Sequence, residues 1–169
     1  MIKKIIRIFQ KIFWTNEKYA RHIGVKIGLD CDIKEVHFGT EPYLITIGDH
    51  VQITNGVRIF THGAAWVLRE KHSDIDFFGK VEIKNNVYIG NNALIMPGVT
   101  IGNNVVIAAG SVVTKSIPNN CIVGGNPSKI IGNFKEFEIK MLEKNTKAKN
   151  KKNKKKYLLS LKDNMFIKK

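Results

Sequence analysis

IKNNVYIGNNALIMPGVTIGNNVVIAAGSVV, residues 83–113, places an aliphatic side chain at every sixth position without interruption. These residues are Ile83, Ile89, Ile95, Ile101, Ile107 and Val113, and a second set lies four positions after each, at Val87, Ala93, Val99, Val105, Ser111 and Ile117. A period of six matches neither the 3.6-residue turn of an α-helix nor a heptad. It matches short strands joined by tight turns, each with one aliphatic side chain pointing inward. The stretch therefore predicts a β-solenoid, in which stacked coils form one apolar column.

The repeat extends toward the N-terminus, with one interruption. The same period is present at Ile47, Ile53 and Ile59, and a looser copy, IGVKIGLDCDI, begins at Ile23. Asparagine pairs recur at one phase, at 85–86, 91–92 and 103–104, and Asn tolerates the positive φ angles of tight corners. Between Ile59 and Ile83 the period is lost, which predicts that residues 61–80 form a loop that leaves the solenoid.

The net charge of +14 is concentrated at the two ends of the chain. Residues 1–21 carry a net +5 and residues 140–169 a net +10, whereas residues 22–139 carry −1. A basic groove on the folded body, and with it a nucleic-acid partner, is therefore not expected. The run KAKNKKNKKK, residues 147–156, is predicted to be a solvated linker without regular structure.

Cysteine content and hydropathy predict a cytoplasmic protein. Cys31 and Cys121 are the two cysteines, and their spacing favours neither a disulfide framework nor a cysteine-type zinc site. The apolar runs are too short for a membrane span, and the first residues lack the cleavage site of a signal peptide. Free thiols in a reducing compartment are the expectation.

Two segments of the C-terminal half carry a resemblance to a known family. IGNNVVIAAGSVVTK, residues 101–115, and GGNPSK, residues 124–129, resemble the hexapeptide-repeat acyltransferases, in particular galactoside and maltose O-acetyltransferases and the O-acetyltransferases of surface polysaccharides. The resemblance covers about residues 23–132. It implies an all-β fold, a left-handed parallel β-helix with short terminal helices and one extruded loop. It also implies a homotrimer that binds acetyl-CoA between neighbouring subunits.

Three regions are expected along the chain. Residues 1–22 contain an amphipathic helix, residues 23–132 form the β-helix with its loop 61–80, and residues 133–169 form a C-terminal helix and a Lys-rich tail. The apolar face of residues 1–14 has two interpretations: it covers the open end of the solenoid, or it lies on an anionic membrane surface. The Lys-rich tail is a second candidate for such a peripheral membrane contact.

The interruption of the repeat also points to a catalytic residue. Acyl transfer from a thioester to a hydroxyl needs a base, stabilisation of an oxyanion, and two substrates held close together. Histidine suits the role of base, and function concentrates in irregular loops on rigid scaffolds. Because the resemblance implies a catalytic histidine at this point, His62 is the predicted general base and His72 the second candidate. A metal site is not expected, since γ-class carbonic anhydrases, which share the solenoid, space two histidine ligands more closely than any pair here.

The resemblance implies further site residues, in some cases with alternatives. Those predicted to bind acetyl-CoA are Tyr88, Asn91, Ala109, Thr114, Lys115 and Lys129, the last through the nucleotide phosphates. The segment FGTEPYLITIG, residues 38–48, departs from the family, which has an asparagine there. Glu41 in this segment orients His62, binds a sugar hydroxyl, or is a surface acid. Trp66 and Arg69 are predicted to bind the acceptor, with an anchor on a neighbouring subunit as the alternative for Trp66.

The predicted function is acetyl transfer from acetyl-CoA to a sugar hydroxyl, in surface-polysaccharide biosynthesis, without a metal. Two alternatives are open. One is a sugar N-acetyltransferase, which differs in the acceptor atom. The other is a non-enzymatic solenoid that serves as an interaction platform.

Overall fold

A computed structural model describes residues 14–167, and it contains thirteen short strands. The strands are β1 (Lys26–Ile27), β2 (Asp32–Ile33), β3 (Ile45–Ile47), β4 (Val51–Ile53), β5 (Arg58–Ile59), β6 (Val81–Ile83), β7 (Val87–Ile89), β8 (Leu94–Ile95), β9 (Thr100–Ile101), β10 (Val105–Ile107), β11 (Val112–Val113), β12 (Cys121–Gly124) and β13 (Lys129–Asn133). They form a four-stranded sheet (β1-β3-β6-β9), a six-stranded sheet (β13-β12-β10-β7-β4-β2) and a three-stranded sheet (β11-β8-β5).

From β3 to β11, successive strands join the three sheets in turn, so that the chain coils. All pairings between these strands are parallel, except the antiparallel pairing of β12 with β13. In the registers, Ile83 faces Ile101, and the matching inward residues of the other two sheets face each other in the same way. Both predicted sets of inward residues are buried. The prediction of short stacked strands around an apolar column is therefore confirmed.

The corners between strands hold the residues that the repeat predicts. Asn86, Asn92 and Asn104 have φ angles of 55°, 59° and 54°, the left-handed conformation that Asn tolerates. Asn86 Nδ2 donates a hydrogen bond to Asn104 Oδ1 at 2.8 Å, which ties neighbouring corners together. Gly90 is packed more closely still, since a Cβ there would lie 2.5 Å from the backbone nitrogen of Ala109. The coil therefore admits no side chain at that position.

A short helix is attached to the first coil. Helix α1 (Asn16–His22) begins after Thr15, whose hydroxyl accepts a hydrogen bond from the backbone N–H of Lys18. The Arg21 guanidinium donates to the carbonyl oxygens of Ile27 and Gly28, and it pairs with Glu17. These bonds satisfy backbone acceptors where β1 begins the sheet. The amphipathic pattern of residues 1–14 lies, except for Trp14, outside the described residues.

The residues from Lys135 onward form a second compact unit. Helix α2 (Phe134–Glu143) begins after Asn133. The prediction that residues 147–156 have no regular structure is wrong, because a 3₁₀ helix (Ala148–Asn150) and the start of helix α3 (Lys154–Leu159) lie there. The reason is local: the Asn153 side chain accepts a hydrogen bond from the backbone N–H of Lys156 at 3.0 Å and caps α3. Within residues 14–167, no helix has the length and apolarity that crossing a membrane requires.

Replacing Ile95 by Ala is expected to lower the free energy of unfolding by about 2–5 kcal/mol. Ile95 is fully buried between Ile59 and Val113 of the adjacent coils, and the regular hydrogen-bonded coils leave little room for the cavity to collapse. The matched control, Ile95→Val, removes one methylene and should cost about 0.5–1.5 kcal/mol. Urea unfolding followed by circular dichroism measures both values, and equal losses would contradict the prediction.

Candidate active site

The loop that interrupts the repeat leaves and rejoins the body at one point. Its first residue, Thr61, is buried, and its carbonyl oxygen accepts a hydrogen bond from the Gly79 backbone N–H at 2.7 Å. His62 forms an isolated antiparallel bridge with Phe78. Between these ends the chain contains a 3₁₀ helix, Ala65–Leu68, and residues 61–80 contribute no strand to the three sheets. The predicted loop is therefore present, and His62 lies at its base.

The parallel stacking of coils brings Glu41 to His62. His37 bridges Arg58 in parallel, so the residues that follow His37 run beside those that follow Arg58. Glu41 and His62 lie at the same distance along the chain from these two residues. His62 Nδ1 is 2.8 Å from Glu41 Oε2. The structure thus places Glu41 where it can orient His62, which is one of the roles predicted for it.

This contact determines which nitrogen of His62 carries the proton. An ionised carboxylate can only accept hydrogen bonds, so Nδ1 has to be the donor. In the neutral ring, Nε2 then keeps its lone pair and can take up a proton from another group. The His62 side chain is 45% exposed and the Glu41 side chain only 16%, so the ring reaches solvent while its partner stays against the protein. A histidine in this state has the form that a general base requires.

Two further hydroxyl groups bind the same carboxylate. Thr40 Oγ1 donates to Glu41 Oε1 at 2.6 Å, and Thr61 Oγ1 donates to Glu41 Oε2 at 2.7 Å. The hydrogen bonds from Thr40, Thr61 and His62 lower the pKa of Glu41 from 4.5 to about 2, against the smaller opposing effect of burial. Glu41 therefore stays ionised across the whole range in which histidine titrates.

We expect this low pKa to make stability depend on pH. Because the folded-state pKa of about 2 lies below the ordinary 4.5, the contribution of these hydrogen bonds is present above pH 4.5. It is lost as the pH falls from 4.5 toward 2. Urea unfolding at a series of pH values should therefore show a smaller acid loss of stability in Glu41→Gln than in the wild type. Glu70→Gln removes one charge from the exposed loop and is the matched control; parallel curves for wild type and Glu41→Gln would contradict the prediction.

His62 and Glu41 line a cavity of about 360 Å³ between the loop and the coil. Trp66 and Arg69, the predicted acceptor residues, line the same cavity, and Trp66 is 79% exposed. Arg69 Nη2 is 3.5 Å from Asp76 Oδ2, and the Phe78 ring meets the His62 ring edge-on with centroids 5.9 Å apart. An aromatic ring, a guanidinium and a carboxylate thus surround the candidate base.

Most of the residues predicted to bind acetyl-CoA lie just beyond the ends of strands in the three-stranded sheet. Thr114 and Lys115 directly follow β11. Two coils earlier in the same sheet, the segment that follows β5 turns at the same corner and leads to His62. Strands of adjacent coils are about 4.8 Å apart, so these residues are about 10 Å farther along that corner. Asn91 and Ala109 lie at the other end of these strands, before β8 and β11. Lys129 follows a turn in which the Ser128 backbone N–H donates to the Val112 carbonyl oxygen at 2.8 Å.

The predicted residues Tyr88 and His72 lie apart from the cavity around His62, as does His50. Tyr88 is on β7 of the six-stranded sheet, opposite Gln52 and Val106, and lines a separate cavity with His50. His50 is exposed at a corner with a φ of 53°. His72, the second candidate base, is exposed in the extruded loop. Among residues 14–167, no group of three His, Cys, Asp or Glu side chains is placed to hold a metal ion.

Sequence reasoning did not identify the two threonines that bind Glu41. Each threonine immediately precedes a predicted site residue, Thr40 before Glu41 and Thr61 before His62. The repeat gives no signal for the buried hydroxyl of Thr61, since the strand registers place Pro97 and Lys115 at the equivalent position of the later coils. Thr40 is on a turn without a periodic pattern, and nothing in the sequence distinguishes it from a surface residue.

The chain resembles known proteins in both sequence and structure. Residues 80–115 match the family model described as bacterial transferase hexapeptide (six repeats). The chain is 49% identical over 169 residues to Protein CapG of Staphylococcus aureus, with 95% of this chain and 98% of CapG covered. It resembles the crystal structure of a maltose O-acetyltransferase from Clostridium difficile 630 with a TM-score of 0.59 and 30% identity, covering 78% of this chain and 83% of that one.

A further structural relative was crystallised with a ligand. It is a hexapeptide-repeat-containing acetyltransferase from Vibrio cholerae O1 biovar eltor, complexed with acetyl coenzyme A. The TM-score is 0.53 at 28% identity, covering 70% of this chain and 75% of that one. Because its repeats match the family model and relatives of this kind align with most of its length, the chain belongs to the hexapeptide-repeat acetyltransferase family.

Proposed function

We propose that the protein transfers an acetyl group from acetyl-CoA to a hydroxyl group of a sugar, with His62 as the general base. The observation that carries this proposal is the His62–Glu41 hydrogen bond of 2.8 Å at the edge of an open cavity. It leaves Nε2 free to accept a proton in a site that solvent and substrates can reach. The family's acetyltransferase activity supplies the reaction class.

The reaction needs one proton to be moved twice. Nε2 of His62 takes the proton of the sugar hydroxyl as its oxygen attacks the thioester carbonyl carbon. The carbonyl oxygen becomes an oxyanion, which backbone N–H groups stabilise. When the tetrahedral intermediate collapses, the carbon–sulfur bond breaks and the departing CoA sulfur receives the proton from Nε2. Glu41 stabilises the imidazolium that exists between these two steps.

We propose that the donor binds along the three-stranded sheet, at the two ends of its strands. Asn91 and Ala109 at one end and Thr114 and Lys115 at the other would contact the pantetheine arm and the nucleotide. Lys129 would pair with the phosphates as a point charge. Support comes from the acetyl-CoA complex of the Vibrio cholerae relative. In this proposal the coil is a left-handed parallel β-helix, the protein is a homotrimer, and Tyr88 lines the donor cleft of a neighbouring subunit.

The acceptor would lie on the loop side of His62. Trp66 would stack on the C–H face of a sugar ring, and Arg69 would bind a hydroxyl or an acidic substituent. The maltose O-acetyltransferase among the structural relatives supports a sugar acceptor, and we place the reaction in surface-polysaccharide biosynthesis. Acetyl-CoA is a cytoplasmic metabolite, so the reaction would take place in the cytoplasm.

Incubating the protein with acetyl-CoA and a panel of sugars and nucleotide sugars tests the proposal. Release of the CoA thiol and an acetylated product in the mass spectrum are the expected results. Mild alkali should remove the acetyl group, because an ester is cleaved under conditions that leave an amide intact. An alkali-stable product would instead identify a sugar N-acetyltransferase. Absence of CoA binding in calorimetry would overturn the enzyme proposal in favour of an interaction platform.

A further inference from the structure

We infer that Thr40 and Thr61 are positioning residues, whose hydroxyl groups hold the Glu41 carboxylate in the one orientation that fixes His62. This inference rests on the proposed function, in which His62 accepts the proton of the acceptor hydroxyl. It adds two residues to the reaction that neither the repeat pattern nor the family resemblance identified.

The three hydrogen bonds hold both oxygens of Glu41. Thr40 binds Oε1 at 2.6 Å, while Thr61 and His62 bind Oε2 at 2.7 Å and 2.8 Å. The terminal torsion of a glutamate side chain has a broad energy profile, so a carboxylate held by one partner alone rotates readily. With a donor on each oxygen, rotation would break at least one hydrogen bond. The carboxylate therefore presents Oε2 to His62 in a fixed direction.

His62 needs such a fixed partner because its ring is open to water. Its side chain is 45% exposed, so water competes with Glu41 for the Nδ1 proton. The ring can then adopt the other tautomer, in which the proton is on Nε2. In that tautomer Nε2 carries a proton and cannot act as a base. A carboxylate that is held in place favours the productive tautomer more strongly than one that turns between several orientations. The threonines thus act on the base through Glu41.

Thr61 is well placed to transmit rigidity from the coil to the loop. Its side chain is 1% exposed, two residues after the end of β5, and its backbone carbonyl oxygen accepts a hydrogen bond from Gly79 where the loop returns. A Cβ added to Gly39 of the neighbouring coil would lie 3.6 Å from Thr61 Oγ1, so the hydroxyl lies beside the backbone of that coil. The donor that fixes Glu41 therefore belongs to the most constrained residue of the loop.

Thr61→Val and Thr40→Val test the inference, because each replaces a hydroxyl by a methyl group of similar size. Each is expected to lower kcat about tenfold, the size of one hydrogen bond, and the double variant about 100-fold, with KM for acetyl-CoA unchanged. Thr61→Ser and Thr40→Ser keep the donor and should restore most of kcat. Thr54→Val is the matched control: Thr54 Oγ1 donates to the Ile89 carbonyl oxygen at 2.7 Å, away from the cavity, and its loss should leave kcat unchanged.

Two readouts separate positioning from a general loss of structure. The charged groups at the cavity are Glu41, His62, Arg69 and Asp76. Without the hydroxyl donors the pKa of Glu41 rises toward 4.5, so the loss of unfolding free energy between pH 4.5 and 2 should be smaller in the double variant than in the wild type and unchanged in Thr54→Val. In ¹⁵N NMR spectra of the imidazole, the double variant should show less of the Nδ1-protonated tautomer.

The outcomes distinguish this inference from the proposed function. If the wild type transfers acetyl groups but both Val variants keep the wild-type kcat and imidazole spectrum, the positioning role is overturned. A fall in melting temperature with unchanged kcat would overturn it equally. If the wild type transfers no acetyl group, the proposed function fails, while the NMR comparison still decides whether the threonines fix the tautomer. Should Thr61→Val not fold, the exposed Thr40→Val and the Thr61→Ser variant carry the test.

Discussion

Replacing His62 by Ala is expected to reduce kcat by about 10²–10⁴-fold, the range that general-base catalysis contributes. The loss should appear in kcat because the imidazole takes up the proton only as the hydroxyl oxygen attacks. None of the residues proposed for the donor site lies on the extruded loop, so the dissociation constant for CoA should not change. Steady-state kinetics with the identified acceptor and calorimetry with CoA measure the two quantities.

His72→Ala is the matched control for this variant. Both histidines are exposed in the same loop, so both substitutions remove an imidazole from one segment, but only His62 contacts Glu41. The control is expected to keep wild-type turnover. A loss in His72→Ala as large as in His62→Ala would transfer the role of base to His72. Unchanged turnover in His62→Ala would remove His62 from the mechanism altogether.

Replacing Glu41 by Gln is expected to lower kcat by about 10²–10³-fold. Glutamine has nearly the same shape, but its amide nitrogen can donate to Nδ1, which moves the ring proton to Nε2 and blocks the base. In a buried histidine–carboxylate pair the corresponding change costs about 10⁴-fold. His62 is 45% exposed, so water can support part of the productive tautomer, and we expect a smaller loss. The kcat measured at saturating acetyl-CoA and acceptor gives the effect.

Glu41→Asp is the control that separates charge from geometry. Aspartate keeps an acceptor-only carboxylate but withdraws it by one methylene, so kcat should lie between that of the wild type and that of Glu41→Gln. If Glu41→Gln turns over as fast as the wild type, the tautomer argument is wrong. Equal losses in the two variants would mean that position alone, and not the acceptor character of the carboxylate, governs the base.

The strands and the core were predictable because both follow from the aliphatic residue that recurs at every sixth position. Ile83, Ile95 and Ile107 are buried for the same reason, and each coil confirms the phase of the next. The positive φ of Asn86 and Asn104 follows from the same repetition. Helix α3 was missed because its lysines dominate the composition, whereas its start depends on one capping side chain, Asn153.

The candidate site was predictable only in part, because its geometry depends on the register between irregular coils. His62 was predicted because the repeat stops there and because of the family resemblance. The contact between Glu41 and His62 depends on the bridge of His37 with Arg58, in a part of the chain where the period of six is imperfect. The hydrogen bond from Thr61 to Glu41 depends on the same register, so the sequence did not predict it either. Tyr88 was assigned from the motif, and a motif does not specify which sheet face a residue occupies.

The pairing of Glu41 with His62 joins two consecutive coils near the N-terminal end of the stack. In a stack of this kind each coil is stabilised mainly by its neighbours, so terminal coils open at a lower free energy than central ones. The hydrogen bonds from Arg21 to Ile27 and Gly28 hold the first of these coils. Fraying of that end would separate Glu41 from His62 while the central coils remained folded. We therefore expect turnover by the proposed catalytic pair to be lost before the protein unfolds globally.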